Sequence, residues 1–223
     1  MTDAPIQAVI FDVNETLTDM EPLRACFEEA GLPGALMDTW FASVLRDGFA
    51  LTAAGGYAGF AQVARDVLAG MGLADDGIEH VLGGFAGLRV HPDVPKGMRL
   101  LREAGVRLFT MTNGAAAMTE GVLAREGLLD LVEARLDVSG PRAWKPARAA
   151  YDFAVARAGV RPGQAALVAV HPWDIDGARR AGLVGAYLDR RGTPYPGVMS
   201  APDVTAPDLP ALAAALTGTG AAG

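Results

Sequence analysis

Apolar positions along the chain follow two patterns that alternate. Short continuous runs rich in β-branched and aromatic residues, at 8–11, 106–111, 132–138, 166–170 and 184–188, predict buried strands. Between them, 95–104, 115–126, 147–158 and 173–181 carry the spacing of helices. Gly105, Gly127, Gly159 and Gly182 stand where those helices must stop, as glycines that close helices do. This alternation predicts an α/β fold with a doubly wound, Rossmann-like parallel sheet.

One segment breaks the alternation. From residue 20 to 88 the pattern is helical throughout, with Leu36, Trp40, Val44 and then Phe60, Val63, Val67 near helical spacing. Gly55-Gly56 and Gly83-Gly84 punctuate it, and no strand is convincing there. The expected organisation is an α/β core over 1–19 and 89–223 with a helical cap over 20–88. The Gly- and Ala-rich tail after Thr217 is expected to fray.

Composition narrows the class. The 223 residues fit one large domain or one domain with an insertion. A hydrophobic content of 51% is enough for a full core, and the net charge of -7 argues against nucleic acid and anionic membranes. No apolar run approaches the roughly 20 residues of a bilayer span. The start, Met-Thr-Asp-Ala-Pro, shows no secretory pattern, so a cytoplasmic location is expected. The single cysteine, Cys26, cannot form an internal disulfide and reads as a packed small residue. The expected partners are a small-molecule substrate and, as a homodimer, a second copy of the chain.

Polar residues gather at the strand ends, where open α/β sheets put their chemistry. The first strand delivers Asp12 to its carboxyl end, and Asn14, Glu15 and Thr16 turn the chain. Asp12 is the candidate nucleophile: an aspartate is an anion at neutral pH and needs only neighbours that aim it. An Asp closing a turn after a strand is the competing reading. Thr112 and Asn113 end the second core strand beside a helix start, which suits an anion or a plain helix cap. Lys145-Pro146 precedes a helix, with Tyr151 six residues after the Lys. After the fourth strand, His171-Pro172-Trp173-Asp174-Ile175-Asp176-Gly177-Ala178 offers His171 and Asp174 to orient or activate water.

These four motifs, in this order, resemble those of the haloacid dehalogenase superfamily. The strongest resemblance is to its 2-haloacid dehalogenase branch. There the lysine motif reads Lys-Pro with a Tyr six residues after the Lys, and the last motif has a Trp-Asp pair, as Trp173-Asp174 does. The resemblance implies that Asp12 displaces halide from carbon and forms an ester. Water oriented by Asp174, with His171 or Asn113 nearby, then releases a 2-hydroxy acid. Lys145 would orient Asp12 and balance its charge, while Thr16, Thr112 and Tyr151 complete the hydrogen-bonded shell. Trp40, Phe41, Phe60 and Trp173 would line an apolar substrate pocket, with Asn14 beside them.

The departures from the pattern matter as much. The superfamily's phosphatases carry a general-acid Asp two residues after the nucleophile, where this chain has Asn14. Their Mg²⁺ is held partly by a carboxylate where this chain has Val170, and a hard cation requires oxygen ligands. No metal and no cofactor is therefore expected. The dehalogenases place a Tyr at the position of Asn14 and a substrate-holding Arg at the position of Phe41, with Arg46 the nearest replacement. A Ser and an Asn of their last motif correspond to Ala169 and His171. An atypical phosphatase and a non-catalytic metabolite-binding member stay open as alternatives.

Overall fold

The computed structural model describes residues 5–218. The expected fraying of the tail after Thr217 lies, beyond Gly218, outside the described residues, as does the reading of the first four residues. A six-stranded, all-parallel sheet organises the rest. Its strands are β1 (Ala8–Phe11), β4 (Arg107–Thr112), β5 (Val132–Asp137), β6 (Ala165–Ala169), β7 (Val184–Leu188) and β8 (Val204–Ala206). Their order across the sheet is β5-β4-β1-β6-β7-β8. β1 is central and buried on both faces, which explains its unbroken apolar run.

Successive residues of β1 serve opposite faces. Val9 and Phe11 pack with Leu101 of α5 (Val94–Glu103), Leu123 of α6 (Ala116–Arg125) and Leu209 of α9 (Leu209–Thr217). Ala8 and Ile10 pack with Tyr151 of α7 (Arg148–Ala158) and Ile175 of α8 (Pro172–Arg180). The same parity turns Asp12 toward α7 and α8. Gly105, Gly127, Gly159 and Gly182 all have positive φ, the left-handed backbone that closes a helix.

Residues 20–88 contain α1 (Leu23–Glu29), α2 (Leu36–Ala53), α3 (Phe60–Gly70) and α4 (Asp75–Ala86). A short antiparallel ribbon, β2 (Thr18–Asp19) with β3 (Arg89–Val90), joins the two ends of this helical segment. The sequence pattern did not foretell this ribbon. Nor did it foretell β8 and α9, which follow the last strand read from the sequence. Pro210 lies in the first turn of α9, where a missing N–H costs nothing. Asp208 caps that helix by accepting from the Ala211 N–H at 2.8 Å.

Trp40 corrects one expectation. Its indole is fully buried, donates to the Ala64 carbonyl at 3.1 Å, and lies among Phe27, Phe60 and Phe85. It is core of the helical segment, not a pocket wall. Among the described residues no helix is long and apolar enough to cross a membrane.

Candidate active site

The site begins one residue past β1. Register places Phe11 opposite Thr110 of β4 and Val168 of β6. The Asp12 N–H continues the ladder onto the Val168 carbonyl at 3.0 Å, so the backbone of Asp12 is fixed. Its carboxylate accepts from the Thr16 hydroxyl at 2.7 Å on one oxygen and from Lys145 Nζ at 2.8 Å on the other. The same hydroxyl accepts from the Val170 N–H at 3.1 Å. Thr16 thus ties the first turn to the end of β6.

Lys145 is fully buried, and its ammonium also donates to Asp174 at 2.6 Å. The second Asp174 oxygen accepts from the Tyr151 hydroxyl at 2.6 Å. Tyr151 can reach there only because residue 177 is Gly: a Cβ would lie 2.6 Å from the Tyr151 hydroxyl. Asn113 clamps the lysine's backbone, accepting from its N–H at 2.8 Å and donating to its carbonyl at 3.3 Å. Trp144, unremarked in the sequence, anchors the preceding residue. Its indole donates to the Ala58 carbonyl at 2.9 Å and lies over Gly48, where a Cβ would come within 2.3 Å of the ring.

Electrostatics follow from this packing. Burial alone would raise the Asp12 carboxyl, but the charges of Lys145 and His171 and the bonds from Lys145 and Thr16 outweigh it. Asp12 is held below its ordinary range. Asp174 is pushed up, by burial first and also by the neighbouring Asp12 charge. Burial opposes the Lys145 charge, yet the two carboxylates keep its pKa raised and the group cationic. Burial and the charge of Asp174 push Tyr151 well above its usual value, so it serves as a donor.

The other side of Asp12 is more open. His171 Nε2 lies 3.6 Å from an Asp12 oxygen and 3.6 Å from a Glu15 oxygen, and 3.2 Å from the Asn14 carbonyl. Its ring stacks on Trp173 at 5.0 Å and faces Phe41 at 6.3 Å. Glu15 adopts φ 62, a left-handed backbone rare for a non-glycine residue and costly enough to mark a functional turn. Its carbonyl is met by His91 Nε2 at 3.1 Å and its carboxylate by Arg191 at 3.1 Å. A cavity of about 660 Å³ opens beside this pair, its wall including Glu15, His91, His171, Arg190 and Arg191.

Phe60 lies one layer behind, stacked 6.0 Å from Trp144. The Asn14 amide rests near Gly114. Three expectations change. Arg46 is exposed and spent on Asp47 at 2.7 Å, so it does not stand in for a substrate-holding arginine. The start of α6 is no free anion site: the Ala116 N–H donates to Asp137 at 2.8 Å, and the Gly114 N–H to the Thr112 hydroxyl at 2.9 Å. Both Asp174 oxygens are engaged inside the buried network, and the Asn113 amide is turned onto Lys145. The side chains on the open side of Asp12 are instead His171 and, 3.6 Å from it, Glu15. Glu15 sits inside the first motif, but nothing in its spacing revealed its reach.

A sequence profile of haloacid dehalogenase-like hydrolases matches residues 6–182. The (S)-2-haloacid dehalogenase 1 of Pseudomonas sp. (strain CBS-3) is 27% identical over 198 residues, covering 85% of this chain and 87% of its own. The (S)-2-haloacid dehalogenase of Xanthobacter autotrophicus is 28% identical over 194 residues, covering 83% and 76% respectively. The solved L-2-haloacid dehalogenase from Xanthobacter autotrophicus superposes with a TM-score of 0.86 at 25% identity, covering 97% of this chain and 100% of that one.

Proposed function

The chain belongs to the haloacid dehalogenase-like hydrolases, and we propose that it cleaves the carbon–halogen bond of a short (S)-2-haloacid through an ester on Asp12. The observation that carries this reading is the buried Lys145 ammonium shared between Asp12 and Asp174. It keeps Asp12 ionised and aimed while water is excluded from that side. The (S) configuration follows the names of the relatives.

In the first step an Asp12 oxygen bonds to C2 of the acid, and the halide leaves with the electron pair of the broken bond. In the second, water attacks the ester carbonyl of Asp12. One of its protons passes to the Glu15–His171 pair on the open side of Asp12. Collapse of the tetrahedral intermediate frees the 2-hydroxy acid, whose alkoxide takes up that proton, while water's second proton leaves the Asp12 carboxyl for solvent, one proton released for each halide. Asp12 is restored with one oxygen from water.

The helical segment 20–88 acts as the cap, and it brings Phe41 and Phe49 to the aromatic side of the site. Catalysis needs no divalent cation. Val170 offers no oxygen ligand where the superfamily's phosphatases carry a carboxylate, and Lys145 already supplies a positive charge beside Asp12.

A single turnover in heavy-oxygen water tests the reaction. The label is expected in the peptide holding Asp12 and absent from the first product, and Asp12→Asn abolishes turnover. Label entering product directly would mean that water attacks the substrate and would overturn the ester route. Activity is expected to survive exhaustive chelation; loss restored by Mg²⁺ would return the reading to a phosphatase.

A further inference from the structure

Away from Asp12, the helical segment brings together three side chains that the proposed reaction does not use. Cys26 and Glu29 are one helical turn apart on α1, and His80 faces them from α4. The thiol sulfur, a Glu29 oxygen and a His80 ring nitrogen all lie within 4.8 Å of one another. His80 Nε2 is already 2.8 Å from the Glu29 carboxylate. A packing feature seats the sulfur. Residue 84 of α4 is Gly, and a Cβ there would come within 2.5 Å of Cys26 Sγ. The glycine lets the helices approach until the thiol rests on α4. Glu29 and His80 also form part of the wall of a solvent-open cavity of about 400 Å³.

We propose that Cys26, Glu29 and His80 form a binding site for a borderline-soft divalent cation, Zn²⁺ in the first instance, which clips α1 to α4.

The donor set argues for this class of ion. One sulfur, one imidazole nitrogen and one carboxylate suit zinc and disfavour Mg²⁺ or Ca²⁺, which want oxygen alone. A tetrahedral zinc with bonds of about 2.0–2.3 Å spaces its ligands roughly 3.4–3.6 Å apart. Small rotations of the exposed Glu29 and His80 side chains reach that spacing. The thiol loses its proton to solvent as the metal binds, and a neutral His80 ligates through its free ring nitrogen. Thiolate and carboxylate then neutralise the dication. Three protein ligands leave a fourth position for water from the adjacent cavity. Occupancy ties the first helix of the segment to the last.

The test uses the full chain, stripped of metal, titrated with Co²⁺ as the spectroscopic probe and then with Zn²⁺. The expected result is one equivalent bound, with a thiolate-to-cobalt charge-transfer band that Zn²⁺ abolishes. Cys26→Ser removes the band. His80→Ala, an exposed change that leaves the helices intact, weakens cobalt binding at least tenfold. Absence of the band in the unmodified protein, its survival in Cys26→Ser, or unchanged affinity in His80→Ala would each overturn the site. None of these readouts depends on turnover, so the result stands apart from the fate of the dehalogenase reading.

Discussion

On the Lys145 side of Asp12, the ammonium, the Asp174 carboxylate and the Tyr151 hydroxyl are buried and joined by bonds of 2.6–2.8 Å. On the His171 side, the imidazole and Glu15 are only half-buried, and the imidazole stands 3.6 Å from both the Asp12 and the Glu15 carboxylates. The contrast fits the two jobs that the proposed reaction sets. A nucleophile must be held still and dry, and any slack in its holder costs rate. A water-activating pair must admit a guest and change protonation during the cycle. Tight bonds there would lock out the water. One carboxylate therefore sits between a rigid wall and an adjustable one.

The largest expected effect comes from breaking the rigid wall. Lys145→Met keeps the aliphatic stem but leaves Asp12 and Asp174 facing each other without a cation. Removing one partner of a buried ion pair costs about 3–5 kcal/mol. Halide release is expected to fall below detection, with a large drop in Tm by calorimetry. A stable variant that still releases halide would show that Lys145 only fills space.

The adjustable wall breaks differently. Glu15→Gln and His171→Asn leave Asp12 and Lys145 in place, so the halide burst persists while the ester accumulates. Loss of a general base typically costs about 10²–10⁴-fold, here read in the second step. Intact-mass measurement of the trapped ester distinguishes this from a slowed first step. The pH dependence separates the walls again. The Asp12 carboxyl is held below its ordinary range despite burial, chiefly by the Lys145 and His171 charges, so it stays anionic as pH falls toward that range. The burst is therefore expected to outlast steady-state turnover on acidification. Burst and turnover lost together would place the sensitive group at Asp12 itself and not on the His171 side.

The same division decides what the sequence revealed. Asp12, Lys145 and Asp174 were legible because each is fixed by one strand end or one helix start, and local order suffices to place it. The alternating strands and helices were legible for the same reason. Glu15 was not, because its reach depends on a left-handed turn and on His91 and Arg191, distant in sequence. Trp40 misled because an indole in a helical pattern looks the same whether it faces a pocket or, as here, Ala64. Arg46 misled because helical spacing says nothing of the Asp47 beside it, which takes its charge. β8 and α9 were not read because β8 has only three residues and α9 opens on a proline, which the first turn of a helix tolerates.

A smaller effect is expected at Phe41, which lies against His171 where the resemblance places an arginine. A charge-assisted bond to a substrate carboxylate is worth about 1.5–3 kcal/mol, roughly ten- to a hundredfold in kcat/KM. Phe41→Arg is expected to raise kcat/KM on 2-chloropropionate by that factor, and to lower Tm, since a 5%-exposed ring is exchanged for a charge. Loss of activity in the folded variant would instead mark a substrate whose apolar surface rests on the ring.

The smallest effect is expected at Arg191, at the mouth of the adjustable wall. Its guanidinium holds the Glu15 carboxylate at 3.1 Å, yet its side chain is 74% exposed. Exposed pairs of this kind contribute about 0–1 kcal/mol, because water competes and the long side chain must be ordered. Glu15 is also held by its backbone: its carbonyl meets His91, and its left-handed turn is locked between Val13 and Thr18. Arg191→Ala is therefore expected to cost no more than about fivefold in kcat/KM, the rate equivalent of about 1 kcal/mol. Because the lost charge lies in the wall of the cavity beside Glu15 and an anionic substrate would feel it, the change should fall on KM and shrink as salt is raised. A loss as large as that of Glu15→Gln, and insensitive to salt, would mean that Arg191 sets the state of the Glu15–His171 pair itself. The open wall would then be as firmly built as the buried one, and the contrast between them would fail.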